Sequence, residues 1–189
     1  MEYQRRAITV DTTFDAREAE DGKKYIEGYF AVFGGVYPLW DDAIETVDAG
    51  AFHLDRDTDV RALTNHDTTL VLGRTTAGTL ELRTDDIGLF GRIEINDDDQ
   101  DAVNTWARVG RRDVTQCSFG FDILDQMMEQ NNGRTVWHLR DVKLYEVSVC
   151  TFPAYEETSV QARKAEVDEI EKRKADAWKR ETLKKLKGE

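Results

Sequence analysis

The segment that most constrains the fold is residues 144–150, with the sequence LYEVSVC. Its apolar residues form an almost continuous run, which is typical of a β-strand covered on both faces. Glu146 places a carboxylate inside this run, and an unpaired buried charge costs several kcal/mol. The sequence therefore predicts a buried strand in which Glu146 has a partner, either an imidazole or, in a structural salt bridge, Arg140 or another cation.

Alternating apolar and polar residues predict further short strands along most of the chain. A helix is predicted after the acidic capping residues 96–99 and ends near Gly110. Residues 36–42 are interpreted as a loop, residues 127–133 as a polar turn, and Asp48 as the cap of a short helix. The predicted strands are 6–11, 24–33, 44–47, 59–63, 70–75, 79–84, 88–96, 114–124, 134–139 and 142–151.

The end of the sequence differs in composition from the rest. Residues 160–189 hold ten Lys and Arg against seven Asp and Glu, with no Gly or Pro before Gly188, and they predict one exposed, charged helix. The chain is therefore divided into a domain of residues 1–158 and a helical tail of residues 159–189. The formal net charge of −12 disfavours general nucleic-acid binding, because phosphate binding needs clustered Lys and Arg.

Cysteine usage and motif spacing exclude several classes of site. Cys117 and Cys150 occur without a CxxC pair or a disulfide framework, so a reducing compartment is expected. No histidine spacing fits a metal site and no Gly-rich phosphate loop occurs, so neither a metal nor a cofactor is predicted. No stretch approaches about 20 apolar residues and the charged N-terminus has no apolar segment after it, so no membrane partner is expected.

Residues 116–121, with the sequence QCSFGF, contain the candidate nucleophile Ser118. A serine hydroxyl is a poor nucleophile at neutral pH, so acyl transfer needs a neutral imidazole beside it and a third group that fixes the imidazole tautomer. His66 is the best candidate of the three histidines, because it follows a predicted strand, and Glu146 is the candidate third group. The sequence leaves open a structural His66 and a Ser118 that only packs in the core.

Other side chains compete for parts of this chemistry. Cys117 offers a thiol nucleophile, but neighbouring residues of a strand point to opposite faces, so Cys117 and Ser118 cannot both address one imidazole. An oxyanion needs hydrogen-bond donors or a cation. Arg140 and the pair Arg111 and Arg112 are candidates for that role, unless they form only surface ion pairs.

Eight short motifs follow one another in the sequence. They are IEGYFAVF at 26–33, GAF at 50–52, ALTNHD at 62–67, LGRT at 72–75, GTL at 78–80, CSFGF at 117–121, LYEVSV at 144–149 and TFPAY at 151–155. In this order, over about residues 24–158, the chain resembles the prohead maturation serine proteases of tailed bacteriophages, which are distantly similar to the herpesvirus assemblin proteases. Two departures are Ala49, where the family usually has proline, and Cys117 before Ser118.

The resemblance implies a mainly antiparallel, β-barrel-like protease domain with a few helices, so the expected fold class is α+β with a C-terminal charged helix. It also implies a serine endopeptidase in which His66 is general base and then general acid, Ser118 forms the acyl-enzyme and Glu146 orients the imidazole. Because the assemblin relatives use a second histidine as third member, His138 competes with Glu146 for that place.

Partners and a place of action are likewise implied by the resemblance. The expected substrates are the scaffold segment of the major capsid protein or a separate scaffold protein, together with the chain's own ends, and the tail of residues 159–189 would be removable. Activity is expected in the host cytoplasm, inside the assembling procapsid, without nucleic acid or membrane and with self-association left open. A non-catalytic capsid-assembly or scaffold protein is the competing hypothesis.

Overall fold

The computed structural model describes residues 6–11, 14–131, 133–152, 164, 167–169, 172, 173, 175, 176 and 178–180. Contacts divide the chain into two compact units, Met1–Tyr155 and Glu156–Glu189. Every described residue of the second unit is helical, and nearly all are exposed, as the charged composition predicts. The rest of the predicted tail helix and residues 153–155 of the TFPAY motif lie outside the described residues.

The described part of the first unit consists mainly of β-strands. The strands are β1 (Arg6–Asp11), β2 (Asp15–Glu18), β3 (Lys24–Val32), β4 (Tyr37–Trp40), β5 (Ala43–Val47), β6 (Arg61–Thr64), β7 (Asp67–Arg74), β8 (Leu80–Thr84), β9 (Gly88–Glu94), β10 (Gln116–Asn131) and β11 (Arg134–Cys150). An α-helix, α1, spans Gln100–Gly110, and a 3₁₀ turn spans Thr75–Ala77. The fold is therefore α+β, with antiparallel and mixed sheets.

The first sheet is mixed and centred on the long hairpin of β10 and β11. β10 lies between β1 and β11, and both neighbours run antiparallel to it. The other edge of β11 has two parallel partners, β5 beside residues 135–139 and β6 beside residues 146–149. β4 adds to β5 and β7 adds to β6, so the half of β11 that carries Glu146 lies between β10 and β6.

The second sheet is antiparallel, with the strand order β2, β3, β9 and β8. Side chains of both sheets join one apolar core, with Phe30 and Ile93 from the second sheet and Phe119 and Val147 from the first. Phe119 stacks on Phe121 with 4.9 Å between the ring centroids. Because side chains alternate along a strand, this core determines which residues of β10 and β11 lie on the opposite face.

The described helix of the first unit, α1, begins at an acidic cap, as the sequence predicts. The carboxylate of Asp99 accepts hydrogen bonds from the backbone N–H groups of Asp101 and Ala102, which lack partners within the helix. The helix buries Ala102, Thr105 and Val109. Among the described residues, no helix is long and apolar enough to span a membrane.

Two local predictions in the first half of the chain are wrong. Residues 36–42 contain β4 rather than only a loop. Pro38 is tolerated in β4 because this strand lies at a sheet edge, where an absent backbone N–H need not remove a ladder bond. Asp48 caps no helix, and its Oδ1 instead lies 3.1 Å from Nδ1 of His138.

The hairpin of the first sheet also differs from the prediction. Residues 127–133 are not a polar turn, because β10 continues to Asn131, which pairs with Arg134 of β11. The described strands form two sheets and no closed barrel, so a barrel-like shape is not confirmed. The reason is that β11 pairs with β5 and β6 in turn along its second edge, which branches the sheet instead of closing it.

Candidate active site

His66 lies in the two-residue turn between β6 and β7. Thr64 pairs with Asp67 across the turn, and both central residues have positive φ, 53° for Asn65 and 59° for His66. Asparagine is common in such turns, but the second position favours glycine, and a left-handed backbone costs other residues roughly 1–2 kcal/mol. Backbone strain of this kind is concentrated at functional sites, so it supports a functional role for His66.

The end of β11 holds this turn in place. Asn65 donates its backbone N–H to the carbonyl oxygen of Val149 at 2.9 Å, and its Oδ1 accepts the N–H of Thr151 at 2.8 Å. The backbone N–H of His66 donates to Ser148 Oγ at 3.2 Å. The turn is thus fixed to the strand that also carries the buried carboxylate.

His66 and Glu146 are in direct contact. His66 Nδ1 lies 2.6 Å from Glu146 Oε1, and Glu146 is only 8% exposed. The other carboxylate oxygen, Oε2, accepts a hydrogen bond from Ser148 Oγ at 2.6 Å. The partner that the buried carboxylate needs is therefore an imidazole, whose Nε2 remains as the ring atom that can exchange a proton with a nucleophile.

Ser118 shares a sheet face with Glu146. In the antiparallel register Ser118 lies opposite Ser148, and Gly120 lies opposite Glu146, so these four residues face the same side. Diagonal neighbours on such a face are roughly 7–8 Å apart, a separation that an imidazole can bridge. The strand register thus brings Ser118 to the face on which His66 and Glu146 meet.

The hydroxyl of Ser118 is fully buried and has no hydrogen-bond partner among the described residues. His66 Nε2 faces Cys150 Sγ instead, at 3.9 Å. The serine and the imidazole are therefore not hydrogen-bonded in this conformation. Catalysis by Ser118 requires a rearrangement that brings Nε2 to the hydroxyl and opens a path for substrate, and such contacts often tighten only when substrate binds.

Comparison with known proteins identifies the family of the chain. The sequence model described as caudovirus prohead serine protease matches residues 12–173. The chain belongs to that family. A solved structure, the bacteriophage T4 capsid assembly protease gp21, has a similar fold, with a TM-score of 0.50 and 12% sequence identity over 81% of this chain and 100% of that chain. No curated protein sequence matches the chain.

Membership of the prohead protease family establishes the general role. The chain is a protease of phage capsid maturation, which acts in the assembling procapsid. Family membership does not by itself assign the catalytic residues, so the parts played by His66, Ser118 and Glu146 depend on their geometry.

Opposing effects determine the protonation state of His66 in this prohead protease. Burial disfavours the charged imidazole, but the hydrogen bonds with Cys150 and Glu146 outweigh burial and raise the pKa of His66 above its ordinary value of 6.5. The contact with the carboxylate therefore favours the protonated imidazole. A general base must be neutral to accept a proton, so a catalytic His66 would first lose this proton.

We expect the imidazole of His66 to titrate above pH 6.5, and proteolysis to rise with pH above neutral as His66 loses its proton. The titration is measured by NMR of the histidine ring signals in the Ser118→Ala protein, which prevents self-cleavage. Glu146→Gln should move the midpoint to lower pH, because the imidazolium loses its carboxylate partner. A midpoint at or below pH 6.5 in the protein with Glu146 intact would contradict this assignment.

The same shift predicts how stability depends on pH. A raised folded-state pKa means that the His66 contribution to the free energy of unfolding is fully present below the unfolded-state pKa of about 6.5. It is lost as the pH rises through the higher folded-state pKa. Thermal unfolding above neutral pH should therefore show a decline in stability for the protein with Glu146 that is weaker in Glu146→Gln, and parallel declines would argue against the ion pair.

Two depressions on the surface meet at Asn65 and Thr151, next to His66. The first, of about 290 Å³, is lined by Asn65, His66, Cys150, Thr151 and Phe152. The second, of about 310 Å³, is lined by Thr64, Asn65, Thr105, Arg108, Asp113, Val114, Val149 and Thr151. Asn65 and Thr151 line both depressions, so both lie next to the turn that carries His66.

His138 and Arg140 lie earlier in β11 than Glu146, away from the contact between His66 and Glu146. His138 Nδ1 is 3.1 Å from Asp48 Oδ1, and the residue is separated from Glu146 by eight positions of one strand, about 26 Å at 3.3 Å per residue. Arg140 is exposed. Glu146, and not His138, is therefore the residue that contacts the imidazole of His66.

Cys117 and the arginine pair at 111–112 lie in different surroundings. Cys117 faces the core, where its Sγ contacts the carbonyl oxygen of Tyr29 at 3.3 Å, as alternation along the strand predicts. The guanidinium of Arg112 donates to the carbonyl oxygen of Phe14 at 2.9 Å. Arg111 Nε lies 3.3 Å from the carboxylate of Asp113. None of these contacts involves Ser118, Glu146 or His66.

The sequence assigns no place in the site to three residues, Ser148, Cys150 and Gly120, although the glycine at 120 already predicts a close approach of the backbone to a bulky group. Ser148 and Cys150 follow Glu146 at intervals of two, so alternation along the strand already places them on its face. Gly120 faces Glu146 only through the register of β10 with β11. The first two could therefore have been found from the sequence, whereas the third needs the pairing of two strands distant in the chain.

Proposed function

We propose that this prohead protease is a serine endopeptidase that cleaves scaffold or capsid-precursor segments through an acyl-enzyme on Ser118. The observation that carries the proposal is the contact of 2.6 Å between His66 Nδ1 and Glu146 Oε1, on the sheet face that Ser118 shares. A carboxylate at Nδ1 fixes the tautomer in which Nε2 can accept a proton. The buried, unpaired hydroxyl of Ser118 is the group that such an imidazole would activate.

The mechanism follows from these roles. Ser118 Oγ attacks the scissile carbonyl carbon while its proton passes to His66 Nε2, and the carbonyl oxygen becomes an oxyanion. Glu146 stabilises the imidazolium that forms. Collapse of the tetrahedral intermediate breaks the C–N bond as His66 donates its proton to the leaving amine. Water, deprotonated by His66, then attacks the acyl-enzyme, and Ser118 recovers its proton when the second intermediate collapses.

The substrates we propose are the scaffold segment of the major capsid protein or a separate scaffold protein, and the protease's own ends. The two depressions that meet at Asn65 and Thr151 support binding of a peptide beside His66. The charged tail of residues 159–189 is the proposed removable segment, and the described residues within it are helical. The proposed place of action is the host cytoplasm, inside the procapsid.

The proposal is tested by co-expressing the protease with its cognate scaffold-bearing capsid protein and following both chains by intact mass. Scaffold and tail should be shortened, and a fluorophosphonate should label Ser118 and stop the cleavage. Labelling of any other residue with loss of activity would move the acyl-enzyme away from Ser118. A capsid protein that stays intact in assembled proheads would contradict the endopeptidase.

The burial of Ser118 in this conformation favours, as a second candidate, a non-catalytic assembly protein. The two candidates predict different effects of prohead assembly on Ser118. A protease should react with the fluorophosphonate at Ser118 once proheads form. An assembly protein should stay unlabelled in proheads, and it should still support their formation after Ser118 is replaced.

A further inference from the structure

We propose that Gly120 and Ser148 are positioning residues that hold the carboxylate of Glu146 against His66. The catalytic consequence rests on the function proposed above, whereas the effect on the imidazole can be measured without it. Neither residue would touch the substrate. Both act on the orientation of one buried side chain, from two different sides.

Gly120 provides the space that the carboxylate occupies. A Cβ at this position would lie 2.3 Å from Glu146 Oε1 and 3.0 Å from its Cγ and Cδ. Oε1 is the oxygen that contacts His66 Nδ1, so even a methyl group would displace the interacting atom itself. A glycine within a strand often marks such a close approach, and here the approaching group is the end of a flexible side chain rather than backbone. Gly120→Ala should therefore move the carboxylate while the strands keep their pairing.

Ser148 binds the other oxygen of the Glu146 carboxylate, Oε2. Its hydroxyl donates its one proton to Glu146 Oε2 at 2.6 Å and accepts the backbone N–H of His66 at 3.2 Å. The residue is fully buried, so water does not compete for these bonds. One hydroxyl thus links the carboxylate to the turn that carries the imidazole, and Ser148→Ala removes both bonds at once.

The two contacts leave the carboxylate little freedom. Oε1 binds the imidazole, Oε2 binds the Ser148 hydroxyl, and the space over Gly120 admits the side chain. A misplacement of about 1 Å in a catalytic group can cost about 100-fold in rate. We therefore expect Gly120→Ala and Ser148→Ala each to lower kcat by about 100-fold with little change in KM.

The experiment that tests the proposal is an NMR titration of His66 in the full-length Ser118→Ala protein, with and without each second substitution. Gly120→Ala and Ser148→Ala should each bring the pKa of His66 down towards 6.5, because the imidazolium loses part of its carboxylate contact. The matched control is Gly110→Ala, whose Cβ would meet only the side chain of Ala16, at 3.4 Å, and should leave the titration unchanged. An unchanged pKa of His66 in both folded variants would overturn the proposal.

A second background distinguishes positioning from a general structural effect. Once Glu146 is replaced by Ala there is no carboxylate to displace, so adding Gly120→Ala should leave the titration of His66 where Glu146→Ala puts it. A further shift in this background would show that Gly120 acts on His66 by another route and would overturn its positioning role. If the protease cleaves nothing while the expected shifts occur, the proposed function fails and the positioning role stands.

Discussion

Replacing Ser118 with Ala should abolish proteolysis, with a loss of about 10⁶-fold, the size of effect that follows removal of the nucleophile of subtilisin. In the proposed mechanism this hydroxyl forms the bond with the substrate, and His66 and Glu146 have no function in acyl transfer without it. The fold should survive, because the substitution removes one buried oxygen that has no described hydrogen-bond partner. The measurement is cleavage of the co-expressed scaffold-bearing capsid protein, followed by intact mass.

The neighbouring Cys117 supplies the matched control for that prediction. It directly precedes Ser118 in β10 and faces the core, with its Sγ 3.3 Å from the carbonyl oxygen of Tyr29. Cys117→Ala should therefore leave the cleavage rate per folded molecule nearly unchanged, with any effect confined to stability. Equal processing by Ser118→Ala and the unaltered chain would remove Ser118 from the mechanism, and loss of activity only in Cys117→Ala would favour a thiol peptidase.

Much of the fold can be predicted from the sequence, because buried strands carry their own signal. The hairpin of β8 and β9 follows directly from apolar residues spaced by two on either side of residues 85–86. β2 cannot be predicted from such a pattern, because its four residues are largely exposed and gain their strand conformation by pairing with β3. The end of β10 escapes prediction as well, since residues 127–131 are mostly polar and resemble a turn, whereas residues 134–139 of β11 are predicted as a strand.

The candidate site is partly predictable as well. A carboxylate inside an apolar run needs a partner, and that requirement alone directs attention to Glu146 and the few cations or imidazoles that could meet it. The position of His66 in a strained two-residue turn, by contrast, depends on the pairing of β6 with β7. The contact of Gly120 with Glu146 depends on a register that shifts between Gly120 and Phe121, and no local pattern encodes such a shift. The catalytic roles themselves remain predictions.

Replacing Glu146 with Gln should lower the cleavage rate by about 10⁴-fold, the effect expected when a triad carboxylate becomes an amide and favours the wrong imidazole tautomer. The variant keeps nearly the same volume beneath His66, and Ser148 can still donate to an amide oxygen. The fold should therefore remain intact while proton transfer fails. The measurement is kcat/KM on a scaffold-derived peptide, together with thermal unfolding to show that the folded fraction is unchanged.

The matched control is another described contact between a histidine and a glutamate, that of His138 with Glu129 on the hairpin of β10 and β11. Glu129 Oε2 lies 3.7 Å from Nε2 of His138, but Glu129 is about half exposed, and it pairs with Val136, ten positions before Glu146 in β11. Glu129→Gln should leave kcat/KM unchanged, because an exposed ion pair of this kind contributes little and touches no reacting group. A similar loss in both variants would mean that negative charge on the hairpin in general, rather than the carboxylate at His66, supports catalysis. A loss confined to Glu146→Gln ties the activity to the one carboxylate that the strand register places against the imidazole.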